Sequence, residues 1–491
     1  MAFLIGGANS LTGGYDIDNS LRFNDGDTPK LSRSISSAGS TTNATLSVWV
    51  KRGILGTRQQ IYSNKTADSS FEAMNMYFNA ANDRLHIDHN DGSNNKSIYT
   101  NMRFRDVAAW YHIVHAIDTT TNTATNRLRV YVNGTEITSF ATDQNPSKDA
   151  DLAITNATGD QSIGDDPRDN NDLFDGYMAE YNFVDGATLD PTNFGETNDN
   201  GVWIPKKPDV SSYGTNGFFL EFKQTGTSAN SSGLGADTSG NDNHMSVANL
   251  AATDVTTDTP TNNFCTLSSI DVNVGQVPTF EEGNTKFTVA SGNNHGRTDA
   301  TIRPSSGKWY AEFTFLSGYS TANGTTQVGI ISGNAGRNSS NNDGYDQDNG
   351  NDSEAIGYRS NGTVKNHGTE SLSGLTTFTT DDIMGIALDL DNDKFFVSKN
   401  GTFFSNGTGT QDPPNGTNPL FSGGVITSHK IHGFNIGAKG YGDAQNVIAA
   451  NFGNPHTSIS SGNTDSKYGN FEYAPPSGFY ALCTKNLATY G

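Results

Sequence analysis

From Thr379 to Phe404 the chain reads TTDDIMGIALDLDNDKFFVSKNGTFF, and apolar side chains recur at every second position. Met384, Ile386, Leu388 and Leu390 alternate with Gly385, Ala387 and Asp389, the period of two that turns one strand face toward a core. Asp391, Asn392 and Asp393 predict a first turn, Phe395 and Val397 a second strand, and Asn400-Gly401 a second turn. Asn-Gly is a strong hairpin signal because both residues accept the positive φ of a type I′ turn. The same chemistry stands upstream in NRLRVYVNGTEIT, residues 126–138. The pattern predicts hairpins near the centres of two β-sandwiches.

The rest of the chain fits that division. Residues 15–200 predict a first sandwich, with strands around Leu21 and Phe23, through ATLSVWV at 44–50, and at 74–78, 84–88 and 177–184. Asp190-Pro191 is an N-cap followed by proline at the first helical position, which predicts a short helix over 190–196. Residues 201–263 open with GVWIPKKPDV, an extended linker, and contain the strand GFFLEF; added edge strands are favoured over a small subdomain. Residues 264–491 predict the second sandwich. Its flanking segments, NFCTL and GFYALCT, are predicted to pair and bring Cys265 near Cys483. Residues 1–14, MAFLIGGANSLTGG, read as a short arm that docks on a partner or as a disordered end rather than as a secretory signal, since they lack a basic start.

Composition narrows the function classes. The 491 residues include 54 Gly, 27 Phe and 18 Tyr, too many aromatics for a disordered chain of this polarity. A net charge of -21 without a Lys/Arg cluster speaks against nucleic acid. No apolar run approaches the roughly 20 residues of a membrane span. Two cysteines make no disulfide framework, and thiols are the default for a protein made in a reducing cytosol.

Two resemblances follow from motif order. W-x-H-x-V at Trp110, L-x-V-Y-V-N-G at Leu128, I-G at Ile163 and F-x-G-x-x-A-E at Phe174 resemble concanavalin A-like domains of the laminin-G and pentraxin kind over residues 15–200. G-K-W-Y-x-E at Gly307, Q-V-G-I at Gln327, I-G-Y-x-x-N-G at Ile356 and the 379–404 stretch resemble a SPRY domain over about 280–455. Together they imply an all-β chain of two antiparallel β-sandwiches, a jelly-roll then a SPRY-like one, behind an N-terminal arm.

Candidate chemistry is sparse. The E-x-D-x-x-E strand motif of retaining glucanases is absent, and Glu180 and Glu312 each stand without an acid at strand spacing. No catalytic residue is expected. His86 and Asp88 share a strand face while His89 points the other way, and His112 and His115 lie on opposite faces of one strand. The cofactor candidate is calcium, in oxygen-rich loops holding Asp165, Asp166, Asp169 and Asp172, or Asp343, Asp346 and Asp348. In the SPRY resemblance ligands are taken by loops at one end, which here implies the loop 332–352 with Tyr345 and Asn349, and the turn at Asn366 and His367.

The opening YDIDNSLRFNDGD, residues 15–27, joined to these two modules, resembles virion surface proteins of marine tailed bacteriophages. That resemblance implies a non-enzymatic fibre or appendage made in the host cytoplasm and carried on the particle. It also implies attachment to other virion proteins through the arm, homo-oligomerisation, and contact with a cell-surface glycan. A capsid-decorating protein without a host ligand, and a secreted lectin or glycan-active enzyme, are the alternatives.

Overall fold

The computed structural model describes residues 14–66, 74–90, 95–154, 159–167, 172–272, 278–292, 295–318, 326–332, 355–366, 369–424, 426, 431–439, 445–460 and 467–491. The arm up to residue 13 lies outside them. The chain divides into two compact units after Thr261. Strands dominate both, and the expected all-β, two-sandwich architecture is what the structure has.

The first unit packs two antiparallel sheets face to face. Sheet I runs, in spatial order, Thr135–Glu136, Leu128–Val132, Tyr111–Asp118, Asn43–Arg52, Gly176–Asp185, Ser20–Phe23 and Val255–Thr256. Sheet II runs Phe140–Asp143, Asn95–Arg103, Arg84–Asn90, Met74–Phe78, Gln59–Thr66, Gly159–Ile163, Lys30–Ser34 and Ser246–Ala248. The alternating apolar positions meet between them: Leu46, Val48, Val50, Ile113 and Met178 from sheet I, Met74, Met76, Leu85, Ile87 and Ile98 from sheet II. One polar pair crosses this core. His89 of sheet II and His115 of sheet I approach to 2.8 Å between their Nε2 atoms, both fully buried.

Residues 201–261 complete this unit. Phe218–Leu220 pairs with the Gly176–Asp185 strand, Ser246–Ala248 with Lys30–Ser34, and Val255–Thr256 with Ser20–Phe23. The returning segment is fixed by an internal ion pair, Lys51 Nζ to Asp258 Oδ2 at 2.8 Å, with both side chains almost wholly buried. The helix expected over 190–196 shortens to a 3-10 turn, Pro191–Asn193, capped by the Asp190 carboxylate. Gly195 instead enters a two-stranded ribbon, Gly195–Thr197 with Trp203–Pro205, and a Cβ there would meet the Trp203 ring at 2.5 Å.

The second unit repeats the layering. Sheet III is Leu267–Val272, His295–Ala300, His432–Lys439, Gln327–Ser332, Ala355–Arg359, Val364–Asn366 and Thr369–Leu372. Sheet IV is Thr279–Glu281, Lys286–Val289, Asn446–Asn451, Lys308–Ser317, Ile383–Asp389, Lys394–Lys399 and Thr402–Phe403. Phe313, Phe434 and Phe452 interlock between them at 5.9–6.4 Å. The predicted meander forms the end of sheet IV, with Asn400 and Gly401 at φ 48° and 76°. Its first two strands are buried on both faces, because Phe264, Phe471, Phe479, Ala481 and Cys483 cover the side turned away from sheet III. Glu312 anchors that cover: its carboxylate accepts the backbone N–H groups of Glu472 (2.9 Å) and Tyr473 (2.8 Å).

The flanking segments pair as an antiparallel bridge, Phe264 opposite Cys483, with Cys265 N–H donating to the Leu482 carbonyl. The register puts Cys483 on the side of Phe264 and Cys265 on the opposite side, since successive residues of a strand alternate. Both cysteines are buried.

Candidate functional site

The outer faces of the two sheets in the first unit differ sharply. That of sheet I is covered by the unit's own chain. Tyr15, Ile17, Trp110 and Trp203 pack around Trp49 and Ala179, and Phe194, Tyr213, Leu189 and Val210 cover Val114, Ala116, Tyr131 and Val184. His112 lies in this layer, between Trp49 (4.6 Å) and Trp203 (5.9 Å).

The outer face of sheet II carries polar and aromatic groups instead. Met76 and Phe78 enter the core, so Tyr77 between them faces out; the same alternation places His86 and Asp88 outside Leu85 and Ile87, and Tyr99 outside Ile98. Strand register lines these up in two rows, Gln60–Tyr77–His86–Tyr99 and Asn75–Asp88–Ser97. The rings of His86 and Tyr99 stack at 3.7 Å and 10°, and Tyr77 lies 5.3 Å from His86. Asp88 ties the rows together. Its Oδ1 accepts from the hydroxyls of Ser97 (2.6 Å) and Tyr99 (3.1 Å), and its Oδ2 from Tyr77 (3.2 Å). The Arg58 guanidinium lies 3.8 Å from the Tyr77 ring centroid.

The cluster is recessed, with Tyr77, His86 and Asp88 buried and Tyr99 partly exposed. Burial pushes His86 down to about 4, Asp88 opposing the shift, so the imidazole is neutral at neutral pH. Among the described residues, His86 Nε2, Asn75 Nδ2 and Gln60 Oε1 are buried and lack hydrogen-bond partners. The face therefore offers a carboxylate, two phenols, a neutral imidazole and amide groups within a few ångströms.

The sequence-derived candidates fall in several places. Asp165 and Asp166 are buried at the end of sheet II, where Asp165 accepts from the Ser162 hydroxyl and pairs with Lys30 at 3.1 Å. Asp172 pairs with Arg58 at 3.0 Å, at the margin of the aromatic cluster. A calcium ion there would compete with an ammonium and a guanidinium for these carboxylates. Asn366 ends a short strand of sheet III opposite Ile356. Asp169, Asp343, Tyr345, Asp346, Asp348, Asn349 and His367 lie outside the described residues. Among the described residues no three His, Cys, Asp or Glu side chains are grouped to hold a metal.

Glu180 is a second unusual group, on the covered sheet. It sits at a bulge in the Gly176–Asp185 strand with φ 48°, a conformation that a side chain with a Cβ adopts under constraint. Burial pushes its carboxyl up to about 8, against a hydrogen bond from the Tyr15 hydroxyl at 2.9 Å and with the Glu221 charge adding to the rise.

Comparison with known proteins assigns both units. Residues 24–191 match the family described as the concanavalin A-like lectin/glucanases superfamily, and residues 308–438 match the SPRY domain family. The chain carries a concanavalin A-like domain and a SPRY domain. No curated protein matches it. Among solved structures, the SPRY domain of human HERC1 is similar at 16% identity, over 38% of this chain and 96% of that one, with a TM-score of 0.27. A heptameric SAP-like pentraxin from Limulus polyphemus is similar at 20% identity, over 36% and 80%, with a TM-score of 0.27. A putative carbohydrate binding protein from Bacteroides ovatus is similar at 14% identity, over 48% and 58%, with a TM-score of 0.32. The polar cluster belongs to the concanavalin A-like domain, and Asn366 to the SPRY domain.

Proposed function

We propose that the chain is a non-enzymatic surface-attachment protein whose concanavalin A-like domain binds carbohydrate on the outer face of sheet II. One observation carries the reading: sheet I is covered by its own chain, whereas sheet II presents the Tyr77–His86–Tyr99 row over Asp88. Sugars are held by such a mix, an aromatic ring against the C–H face and directional polar groups for the hydroxyls. Asp88 and Glu180 stand on opposite sheets, separated by at least the roughly 10 Å between stacked sheets, so they do not form the close acid pair of retaining hydrolysis. The narrower setting, an appendage of a phage virion that docks through its arm, rests on the resemblance of residues 15–27 and of the module order. Locating the chain on a purified particle tests it.

A glycan array on the full chain, run with and without EDTA, tests the binding reading. Glycans that bind wild type are expected to bind Tyr99→Ala at least tenfold more weakly, about 1.4 kcal/mol, with little change in melting temperature because Tyr99 is partly exposed. An empty array for wild type, or full affinity in the variant, overturns the assignment of this face. Loss in EDTA alone assigns a calcium ion to the binding. Glu180 supports a second reading, glycan hydrolysis with its protonated carboxyl as acid. Turnover of a bound glycan that is abolished in Glu180→Gln would establish it, and no turnover excludes it for that glycan.

A further inference from the structure

The C-terminal part of the SPRY unit holds a cluster that neither sandwich requires. Lys467 and Tyr468 are adjacent in sequence, Tyr480 lies on the short strand Tyr480–Ala481, and Lys485 and Tyr490 belong to the helix Thr484–Tyr490. Tyr480 and Tyr490 stack at 3.7 Å and 7°. The lysines cross over between the two chain segments. Lys467 Nζ stands 4.9 Å above the Tyr490 ring, and Lys485 Nζ 5.5 Å above the Tyr468 ring.

The Tyr480–Tyr490 stack explains how a seven-residue helix, marginal by itself, is held to the domain. It does not explain Tyr468, which is 45% exposed and one of only three large apolar side chains so exposed among the described residues. Nor does it explain Lys467. Lys467 is exposed and stands against the Tyr490 ring, although the chain carries 52 acidic residues. Two ammonium groups, three phenols and an exposed ring meet on the surface of a protein whose net charge is -21. An ammonium makes a charge-assisted hydrogen bond to an anion, a phenol hydroxyl can donate beside it, and an exposed aromatic face accepts the C–H side of a pyranose.

We propose that Lys467, Tyr468, Tyr480, Lys485 and Tyr490 form a site for an acidic saccharide, its carboxylate or sulfate held by the lysines and one sugar face stacked on Tyr468. This site belongs to the SPRY unit and shares no residue with the sheet II face, so either can fail without the other. Its affinity depends strongly on salt, since lysine contributes as a point charge at an exposed position.

Calorimetric titration of the full chain at low ionic strength tests it, with a heparin-derived tetrasaccharide, a galacturonate tetramer and neutral maltotetraose as probes. At least one acidic probe is expected to bind. Its affinity should fall at least tenfold in Lys467→Glu and in Tyr468→Ala, and stay unchanged in Tyr99→Ala. Tyr468→Ala removes an exposed ring and keeps the fold, so it decides the matter if Lys467→Glu lowers the melting temperature. The proposal is overturned if neither acid binds, if both variants bind as wild type, or if only Tyr99→Ala weakens the acidic probe. It is also overturned if Lys467→Glu dissociates an oligomer in sedimentation without changing saccharide affinity, for then the patch joins copies of this chain.

Discussion

Asp258→Ala is expected to destabilise the concanavalin A-like unit by about 3–5 kcal/mol, the usual cost of removing one partner of a buried ion pair. The ammonium of Lys51 lies on the central strand Asn43–Arg52 with 1% exposure, 2.8 Å from the Asp258 carboxylate, whose other oxygen accepts the Trp110 indole N–H at 3.2 Å. Alanine leaves that positive charge in a layer of tryptophan and tyrosine. The loss corresponds to a fall in melting temperature on the order of 10 °C for a unit of this size. Calorimetry of the full chain resolves it, because the SPRY unit should melt as before. A paired replacement, Lys51→Met with Asp258→Leu, should recover most of the loss, since hydrophobic side chains of similar volume often match a buried pair. If Asp258→Ala melts within 2 °C of wild type, the pair does not hold the returning segment.

Acid should act on the two units in opposite directions. In the first, His112 accepts the Trp203 indole N–H at Nδ1 (3.0 Å), which fixes Nε2–H toward the Ser47 hydroxyl (2.9 Å). A second proton would face the indole N–H. His115 donates Nδ1–H to the Arg129 carbonyl, so its Nε2 must accept from His89; a proton there opposes N–H to N–H. Burial accordingly pushes His112 down to about 3 and His115 to about 4, and drives His89 well below its usual range. A depressed histidine contributes stability that is present above pH 6.5 and lost as pH falls through the folded value. Over the full interval this is roughly 5 kcal/mol for His112 and roughly 3 kcal/mol for His115.

The buried carboxyls work the other way. Burial raises Glu180 to about 8 and Glu312 to about 7, so each contributes stability that is present below about 4.5 and lost as pH rises through the folded value. In the first unit the imidazoles outweigh Glu180; in the second, Glu312 is the acid so shifted among the described residues. Between pH 7 and 4.5 the concanavalin A-like transition should therefore move to lower temperature and the SPRY transition should hold or rise. Glu312→Gln should remove the rise, and parallel movement of both transitions would refute the assignment.

Local chemistry made much of the fold readable. Asn400-Gly401 and Asn133-Gly134 take the positive φ values that their residue types require, and the alternation from Met384 to Leu388 placed the sheet IV strand. The motif orders at 110–180 and 307–401 led to the two families that match. The polar cluster was less readable. The sequence shows that His86 and Asp88 share a face, but Tyr77 and Tyr99 join them only through cross-strand register, which depends on where the hairpins close. The Lys51–Asp258 pair spans 207 positions, and nothing local to either residue announces it. The tyrosine–lysine cluster likewise needs a helix, a strand and a loop to meet. The predicted helix at 190–196 had sound capping signals, yet the fit of Trp203 over Gly195 took precedence over them.

The bridge between Phe264 and Cys483 has a mechanical consequence. The strands run antiparallel, with Thr484 N–H donating to the Asn263 carbonyl and Cys265 N–H to that of Leu482. Tension applied between residues 262 and 484 pulls the two chains apart from one end, so these bonds are loaded one after another, as in a zipper. The Tyr480–Ala481 segment, parallel to Trp309–Tyr310, would be stressed next, before the long strands of the sandwich. A tether through these two points would lengthen at low force while the domain behind it stayed folded.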